Sequence, residues 1–141
     1  MMRRRVLVGV SGFVLVRLRP AWATEAEADA LMRALVGEGT LVPGHVKLDL
    51  PQLVENGNAV SMGVDATGVP GGVASLHVFA GRNPLPQVVS AQFGPRSGRA
   101  TLQTRIRLAT SQTVVAVARG RDGRCWSDSV DLLVTLAACI E

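Results

Sequence analysis

The sequence predicts an all-β protein, an antiparallel β-sandwich or barrel preceded by one short helix. After Gly44, apolar and polar residues alternate with a period of two, which is typical of a sheet with one buried and one solvated face. Turn signals separate about seven such runs at intervals of about 8–12 residues. With three Phe and no Tyr, the core must consist mainly of Val, Leu, Ile and Ala, and the β-branched members favour strands.

The first 23 residues have the features of an export signal. Three consecutive arginines, Arg3 to Arg5, precede the short apolar run Val6 to Val16 and the end Ala21-Trp22-Ala23. The arginines suggest a twin-arginine-like route, and we expect a periplasmic protein. A miscalled start codon or a short interfacial helix would explain the same residues. The apolar run is too short to span a membrane.

Charge and composition exclude some functions. With 141 residues, 48% hydrophobic and 18% charged, the chain fits one globular domain. Its formal charge is +4, and removing the five arginines within residues 1–23 leaves −1. No basic stripe alternates with aromatic residues, so we do not expect nucleic-acid binding.

A helix is predicted over residues 25–36, within an N-terminal helical unit of residues 24–40. Thr24 is a suitable N-cap, and Glu27 stands three residues later, as in a capping box. Gly37 is placed to end the helix.

The β-sandwich domain is predicted over residues 41–136. The residues of alternating runs that should face inward are Val46, Leu48 and Leu50; Val60, Met62 and Val64; Ala74, Leu76 and Val78; Leu102, Thr104, Ile106 and Leu108. Three further strands are predicted over 88–93, 113–118 and 126–136.

The last strand determines the expected positions of the two cysteines. Cys125 should point outward together with Ser127, Ser129 and Asp131. The core face should hold the apolar residues of even number: Trp126, Val130, Leu132, Val134 and Leu136. A continuous strand from 125 to 136 spans roughly 35 Å, and three residues retrace only about 10 Å. Because a disulfide needs Cα atoms within about 7 Å, Cys125 and Cys139 should not bond within one molecule.

Cys139, on the tail of residues 137–141, is the candidate functional residue. An exposed terminal thiol in an oxidising compartment could be a sulfur-transfer handle, an intermolecular disulfide site or an incidental residue. The two histidines, His45 and His77, offer no metal-ligand spacing, and His77 is expected to be a paired surface or interface residue. No metal, cofactor or catalytic group is predicted.

Several motifs, in order along the chain, resemble the SoxY family. They are 46–51, 55–58, 77–80, 83–84, 93–95, 104–112, 122–123 and 126–127, with a similarity that extends from about residue 28 to the end. SoxY is the sulfur-carrier subunit of the bacterial periplasmic thiosulfate-oxidising system. The resemblance implies an immunoglobulin-like sandwich that pairs with a SoxZ-like subunit as a heterodimer. It further implies that Cys139 binds sulfur covalently and presents it to a haem enzyme, a sulfate-releasing hydrolase and a sulfane dehydrogenase, so that the chain itself is not an enzyme.

The tail departs from the family pattern. The family's arm is Gly-Gly-Cys-Gly-Gly, whereas this chain ends Ala137-Ala138-Cys139-Ile140-Glu141. Alanine is stiffer than glycine, Ile140 adds bulk, and Glu141 places a charge near the thiol. The sequence thus leaves two hypotheses: a sulfur carrier with a modified arm, or a structural or interaction subunit with a vestigial cysteine.

Overall fold

The computed structural model describes residues 25–137, which form one helix and nine strands. The predicted export signal at 1–23, the proposed N-cap Thr24 and Cys139 lie outside the described residues. The elements are α1 (Glu25–Val36), β1 (Leu41–Pro43), β2 (Lys47–Asp49), β3 (Leu53–Val54), β4 (Val60–Asp65), β5 (Val73–Ala80), β6 (Gln87–Gln92), β7 (Thr101–Ile106), β8 (Gln112–Gly120) and β9 (Cys125–Val134). The helix predicted over 25–36 is confirmed.

The strands form two sheets. The larger sheet has the order β1-β9-β8-β5-β6, with β3 pairing with β9, and the smaller sheet has the order β2-β4-β7. The long ladders are antiparallel, but β1 and β3 pair with β9 in parallel. The predicted all-β sandwich is confirmed, and the two short parallel pairings are additions that the alternation did not indicate.

The main core lies between the sheets. Inward residues of the small sheet, such as Met62 and Val64, pack against Leu76, Val78 and Val114 of the large sheet. The alternation predicted for β4 is observed in full, because Val60, Met62 and Val64 are all buried.

A second apolar layer covers the outer face of the large sheet. Phe79, Val117 and Cys125 form a buried cluster, against which Met32 and Leu35 of α1 pack. The prediction that Cys125 points to solvent is therefore wrong, and this side chain is 2% exposed. Its face was assigned correctly as the one opposite the sandwich core, but the helix covers that face.

Two other expectations are corrected. Leu136, predicted to belong to the core, is exposed because the last strand ends at Val134. Thr104, predicted to face inward, is exposed on β7, an edge strand of the small sheet.

Between residues 25 and 137, α1 is the helix of the fold, and it has neither the length nor the apolar character needed to cross a membrane.

Candidate functional site: the root of the C-terminal tail

The segment Val134–Ala137, here called the tail root, carries the chain out of β9 toward Cys139. Val134 is the last residue of β9, and Thr135, Leu136 and Ala137 are exposed. The site predicted at Cys139 lies outside the described residues, so the tail root is the part of it that the structure describes.

The segment 52–57 holds the tail root along one side. The amide of Thr135 donates to the Val54 carbonyl at 2.9 Å, and the amide of Gly57 donates to the Leu136 carbonyl at 2.8 Å. The Thr135 hydroxyl also donates to the Glu55 carbonyl at 3.2 Å. These bonds extend the pairing beyond Val134 by two residues, Thr135 and Leu136, so the chain is fixed as far as Leu136.

Ser111 holds the other side of the tail root. The Val134 amide donates to Ser111 Oγ at 2.8 Å, and that hydroxyl is 3.4 Å from the Val134 carbonyl oxygen, to which it donates. One serine therefore satisfies both backbone groups of the residue at which the strand ends.

A buried polar network positions the loop that carries Ser111. Asn83 Nδ2 donates to the Arg107 carbonyl at 2.7 Å, while Asn83 Oδ1 accepts from the Ala109 amide at 2.9 Å and from Gln112 Nε2 at 3.0 Å. Asn83 and Gln112 are both buried. Because its polar atoms are paired inside a low-dielectric interior, the network fixes the 107–112 loop.

Three exposed leucines lie in or beside the tail root. Leu53 and Leu133 are register partners on β3 and β9, and Leu136 follows in the tail root itself. They are 59–61% exposed, so the surface beside the outgoing chain is apolar.

Cys125 lies at the opposite end of β9 from the tail root. It is a free cysteine, and burial raises the pKa of its thiol, an effect that the nearby Arg119 guanidinium partly opposes. Since the thiolate is the reactive form, this thiol is unreactive while it stays buried.

His77 is paired, as predicted, but the prediction of a surface position is wrong, because the side chain is buried. It is buried on the outer face of the large sheet, with Nε2 3.0 Å from Ser75 Oγ and Nδ1 3.0 Å from Gln87 Nε2. An amide nitrogen can only donate, so Nδ1 accepts and Nε2–H donates to Ser75. The pKa of His77 is lowered, first by burial and second by the positive charge of Arg119. The imidazole therefore functions as a neutral structural group.

Throughout residues 25–137, His, Cys, Asp and Glu side chains form no group of three or more that could hold a metal ion.

Sequence reasoning missed how the tail root is held. All four residues stand in motifs that carried the family resemblance: Gly57, Asn83, Ser111 and Gln112. No pattern in the sequence indicated that Gly57 and Ser111 bond the tail root, or that Asn83 and Gln112 position the loop of Ser111. The available signal was that Gly57, Asn83 and Ser111 stand in loops next to alternating runs, since residues of loops positioned by a rigid scaffold often make specific contacts.

The fold and the site define a class of protein: a β-sandwich domain in which neighbouring loops hold the end of the last strand by hydrogen bonds. The model of the family "Sulfur oxidation protein SoxY" matches residues 32–139. This match covers well over half of the chain, and the chain belongs to the SoxY family.

Solved structures show the same fold. The sulfur carrier protein SoxY from Chlorobium limicola f thiosulfatophilum matches with a TM-score of 0.68 and 22% identity, over 80% of this chain and 100% of that one. A superoxide reductase (neelaredoxin) from Ignicoccus hospitalis, the T24K variant, matches with a TM-score of 0.56 and 15% identity over 79% and 92% of the two chains. A putative superoxide reductase from Thermotoga maritima matches with a TM-score of 0.54 and 16% identity over 67% and 87%. A search of curated protein sequences gives no match.

Proposed function

We propose that this protein is a covalent sulfur carrier in the oxidation of thiosulfate or related sulfur compounds, with Cys139 as the attachment site. In this proposal it is exported to the periplasm, forms a heterodimer with a SoxZ-like subunit and has no cofactor of its own. A haem enzyme, a sulfate-releasing hydrolase and a sulfane dehydrogenase act in turn on the sulfur that it carries.

The observation that carries the proposal is where the family match ends. The SoxY model matches residues 32–139, so its last matched residue is Cys139. The match includes the tail as well as the sandwich, and it includes the cysteine that the resemblance singles out.

The tail root supports a presenting role. Hydrogen bonds fix the chain as far as Leu136, and Cys139 is three residues further on. Covalent geometry limits the distance between their Cα atoms to about 10 Å. Any enzyme that acts on Cys139 must therefore cover the surface around the tail root, where Leu53, Leu133 and Leu136 provide an apolar contact area.

The carrier chemistry requires only a thiol from this chain. The Cys139 sulfur forms an S–S bond with the terminal sulfur of thiosulfate; the thiol proton leaves, and two electrons pass to the haem enzyme. Water then cleaves the bond between that sulfur and the sulfonate, which releases sulfate and leaves a persulfide on the cysteine. Each step breaks or forms one bond to sulfur, so the acid–base and redox groups can belong to the partners.

Cys139 cannot be lost to an internal disulfide in this fold. β9 is continuous from Cys125 to Val134, a length of about 30 Å. The five residues from Val134 to Cys139 span at most about 18 Å, which falls short of the approach to about 7 Å that a disulfide needs.

The altered tail favours a second candidate function. Alanines replace the glycines before the cysteine, and Ile140 and Glu141 replace those after it. These residues reduce the freedom and the slimness that a tail needs to enter a narrow channel. The alternative is a structural or interaction subunit that keeps the fold and binds its partner, with Cys139 vestigial.

A serine variant separates the two functions. Cys139→Ser should abolish thiosulfate-dependent electron transfer and sulfate release in a system reconstituted with the SoxZ-like subunit and the three enzymes. The matched control, Cys125→Ala, should keep turnover, because Cys125 is buried at the other end of β9. Full turnover by Cys139→Ser would disprove the carrier role and favour the structural one.

A further inference from the structure

The helix α1 and the strand β1 together, residues 25–43 and here called the N-terminal cap, cover one end of the large sheet's outer face. Met32 and Leu35 of α1 pack against the buried cluster formed by Phe79, Val117 and Cys125. Leu41 of β1 is the register partner of Cys125 and shields it from the side. The cluster that contains Cys125 is thus covered by residues of both α1 and β1, and Cys125 is 2% exposed.

The cap is attached more weakly than the strands it covers. Among the twelve residues of α1, Ala28 is the one that is buried. Arg82 Nε and Glu25 Oε1 form an exposed ion pair at 3.1 Å, and pairs of this kind contribute little to stability. β1 has three residues and lies at the edge of the sheet, whereas β8 and β9 have nine and ten.

The helix also depends on one close approach. A Cβ atom added at Gly81 would stand 3.4 Å from the Cβ of Ala28 and 3.4 Å from the Cα of Glu25. The first turns of α1 therefore sit directly on the backbone at the end of β5, and a larger residue at 81 would push them away.

We propose that the N-terminal cap opens and closes as a unit on an intact sandwich, and that the closed cap keeps Cys125 out of thiol chemistry. Elements with little buried apolar surface open locally at a lower free energy than global unfolding. Opening would move α1 and β1 away from the first residues of β9 and expose Cys125 to solvent. In a sulfur carrier, an accessible Cys125 thiol would attack a persulfide on Cys139 of another molecule. The outer sulfur would pass to Cys125 as the S–S bond of the donor breaks, and the Cys125 proton would pass to Cys139 as its thiol forms again. The closed cap would therefore confine the carried sulfur to Cys139. This last consequence rests on the proposed function, whereas the opening of the cap does not.

The test measures the reactivity of Cys125 in the full chain with Cys139→Ser, so that one thiol remains. The probe is the aromatic disulfide DTNB, whose yellow thiolate is released when a cysteine attacks it. The starting protein should react slowly. Leu35→Ala, which removes packing above Cys125, should raise the rate about fivefold, as the loss of a half-buried leucine side chain implies. The matched control, Leu31→Ala, removes an exposed leucine of the same helix and should change the rate less than about twofold.

Urea distinguishes local opening from global unfolding. If the cap opens alone, the labelling rate should depend only weakly on low urea concentrations, since little surface is exposed. Gly81→Val provides a second variant that displaces α1 without touching the cluster, and it should also accelerate labelling while circular dichroism shows the sheets intact.

Three results would overturn the proposal: labelling of the starting protein as fast as a free thiol, equal rates for the Leu35 and Leu31 variants, or a urea dependence as steep as that of global unfolding. None of these depends on sulfur turnover. A failure of the carrier proposal would appear instead in the reconstituted system, with the labelling rates unchanged.

Discussion

Replacing Asn83 by alanine should loosen the tail root from a distance. Asn83 does not contact the tail root; it fixes the 107–112 loop, and Ser111 in that loop bonds Val134. The substitution removes three hydrogen bonds and leaves the amide of the buried residue Ala109 without its acceptor.

The structure sets the size of the effect. At 0.5–1.5 kcal/mol for each bond, the loss of three bonds lowers the free energy of unfolding by about 3 kcal/mol. A domain of this size has roughly 5–15 kcal/mol in total, so the variant should fold but unfold at clearly lower urea.

Urea denaturation, monitored by circular dichroism, measures the free energy of unfolding. Amide hydrogen exchange at Val134 and Thr135 measures how often the tail root opens locally. The matched control is Thr67→Ala, because Thr67 is exposed, its hydroxyl donates to Asp65 Oδ1 within a local turn, and it lies outside the segments that bond the tail root. It should cost less than about 1 kcal/mol.

The reasoning would be refuted if Asn83→Ala and Thr67→Ala lowered the free energy of unfolding by the same amount. It would also fail if Asn83→Ala destabilised the domain without faster exchange at Val134, since the network would then not act on the tail root.

Three further variants test other parts of the structure. Ser111→Ala should lower the free energy of unfolding by about 1–2 kcal/mol, because the Val134 amide loses its acceptor; the exposed Ser61→Ala is the control in the same urea titration, and equal costs would rule out a holding role for Ser111. Because folding lowers the pKa of His77, the unfolded chain binds a proton at a higher pH than the folded chain does. The free energy of unfolding should therefore decrease as the pH falls below 6.5, the ordinary pKa of histidine, and be unaffected by His77 above it. Urea denaturation between about pH 7 and pH 5 should show this decrease in the free energy of unfolding. The decrease should be smaller in His77→Gln and should remain in the control His45→Asn. An unchanged pH dependence in His77→Gln would contradict the role of His77 as a neutral buried group. Under the carrier proposal, Leu133→Ser should raise the KM of the proposed hydrolase for the S-sulfonated protein without altering the free energy of unfolding. Val42→Ser should leave that KM unchanged, because its register partner Trp126 lies about 23 Å from Leu133 along β9. Identical KM values for the two variants would show that Leu133 is not part of a docking surface.

The sequence predicted the sheets well where one face is buried and the other wet. β4 is the clearest case, because Val60, Met62 and Val64 alternate with polar residues or glycine and are all buried. The helix was also predictable, since its period and its terminal glycine are local features.

The outer layer could not be predicted from alternation. From Leu76 to Ala80 every residue of β5 is buried, because the main core covers one face and α1 covers part of the other. A strand with two buried faces loses its period of two. Alternation alone therefore does not show that α1 covers the outer face of the sheet, and for this reason Cys125 of β9 was predicted to be exposed.

The short strands and the contacts of the tail root could not be predicted from the sequence, for a different reason. β1 and β3 have three and two residues, too few for a pattern, and they are stabilised by pairing with β9. Likewise, the contacts of Gly57 and Ser111 with the tail root join residues that are distant along the chain. Cys139 was indicated by its chemistry and by resemblance, and its role stays a proposal.

The central claim is that sulfur is carried on Cys139, and mass spectrometry of the native protein tests it most directly. Protein from cells oxidising thiosulfate, digested without reductant, should yield a C-terminal peptide heavier by sulfur or sulfonate groups that dithiothreitol removes. The peptide containing Cys125 should carry no addition. An unmodified C-terminal peptide under these conditions, or additions on Cys125 alone, would contradict the account.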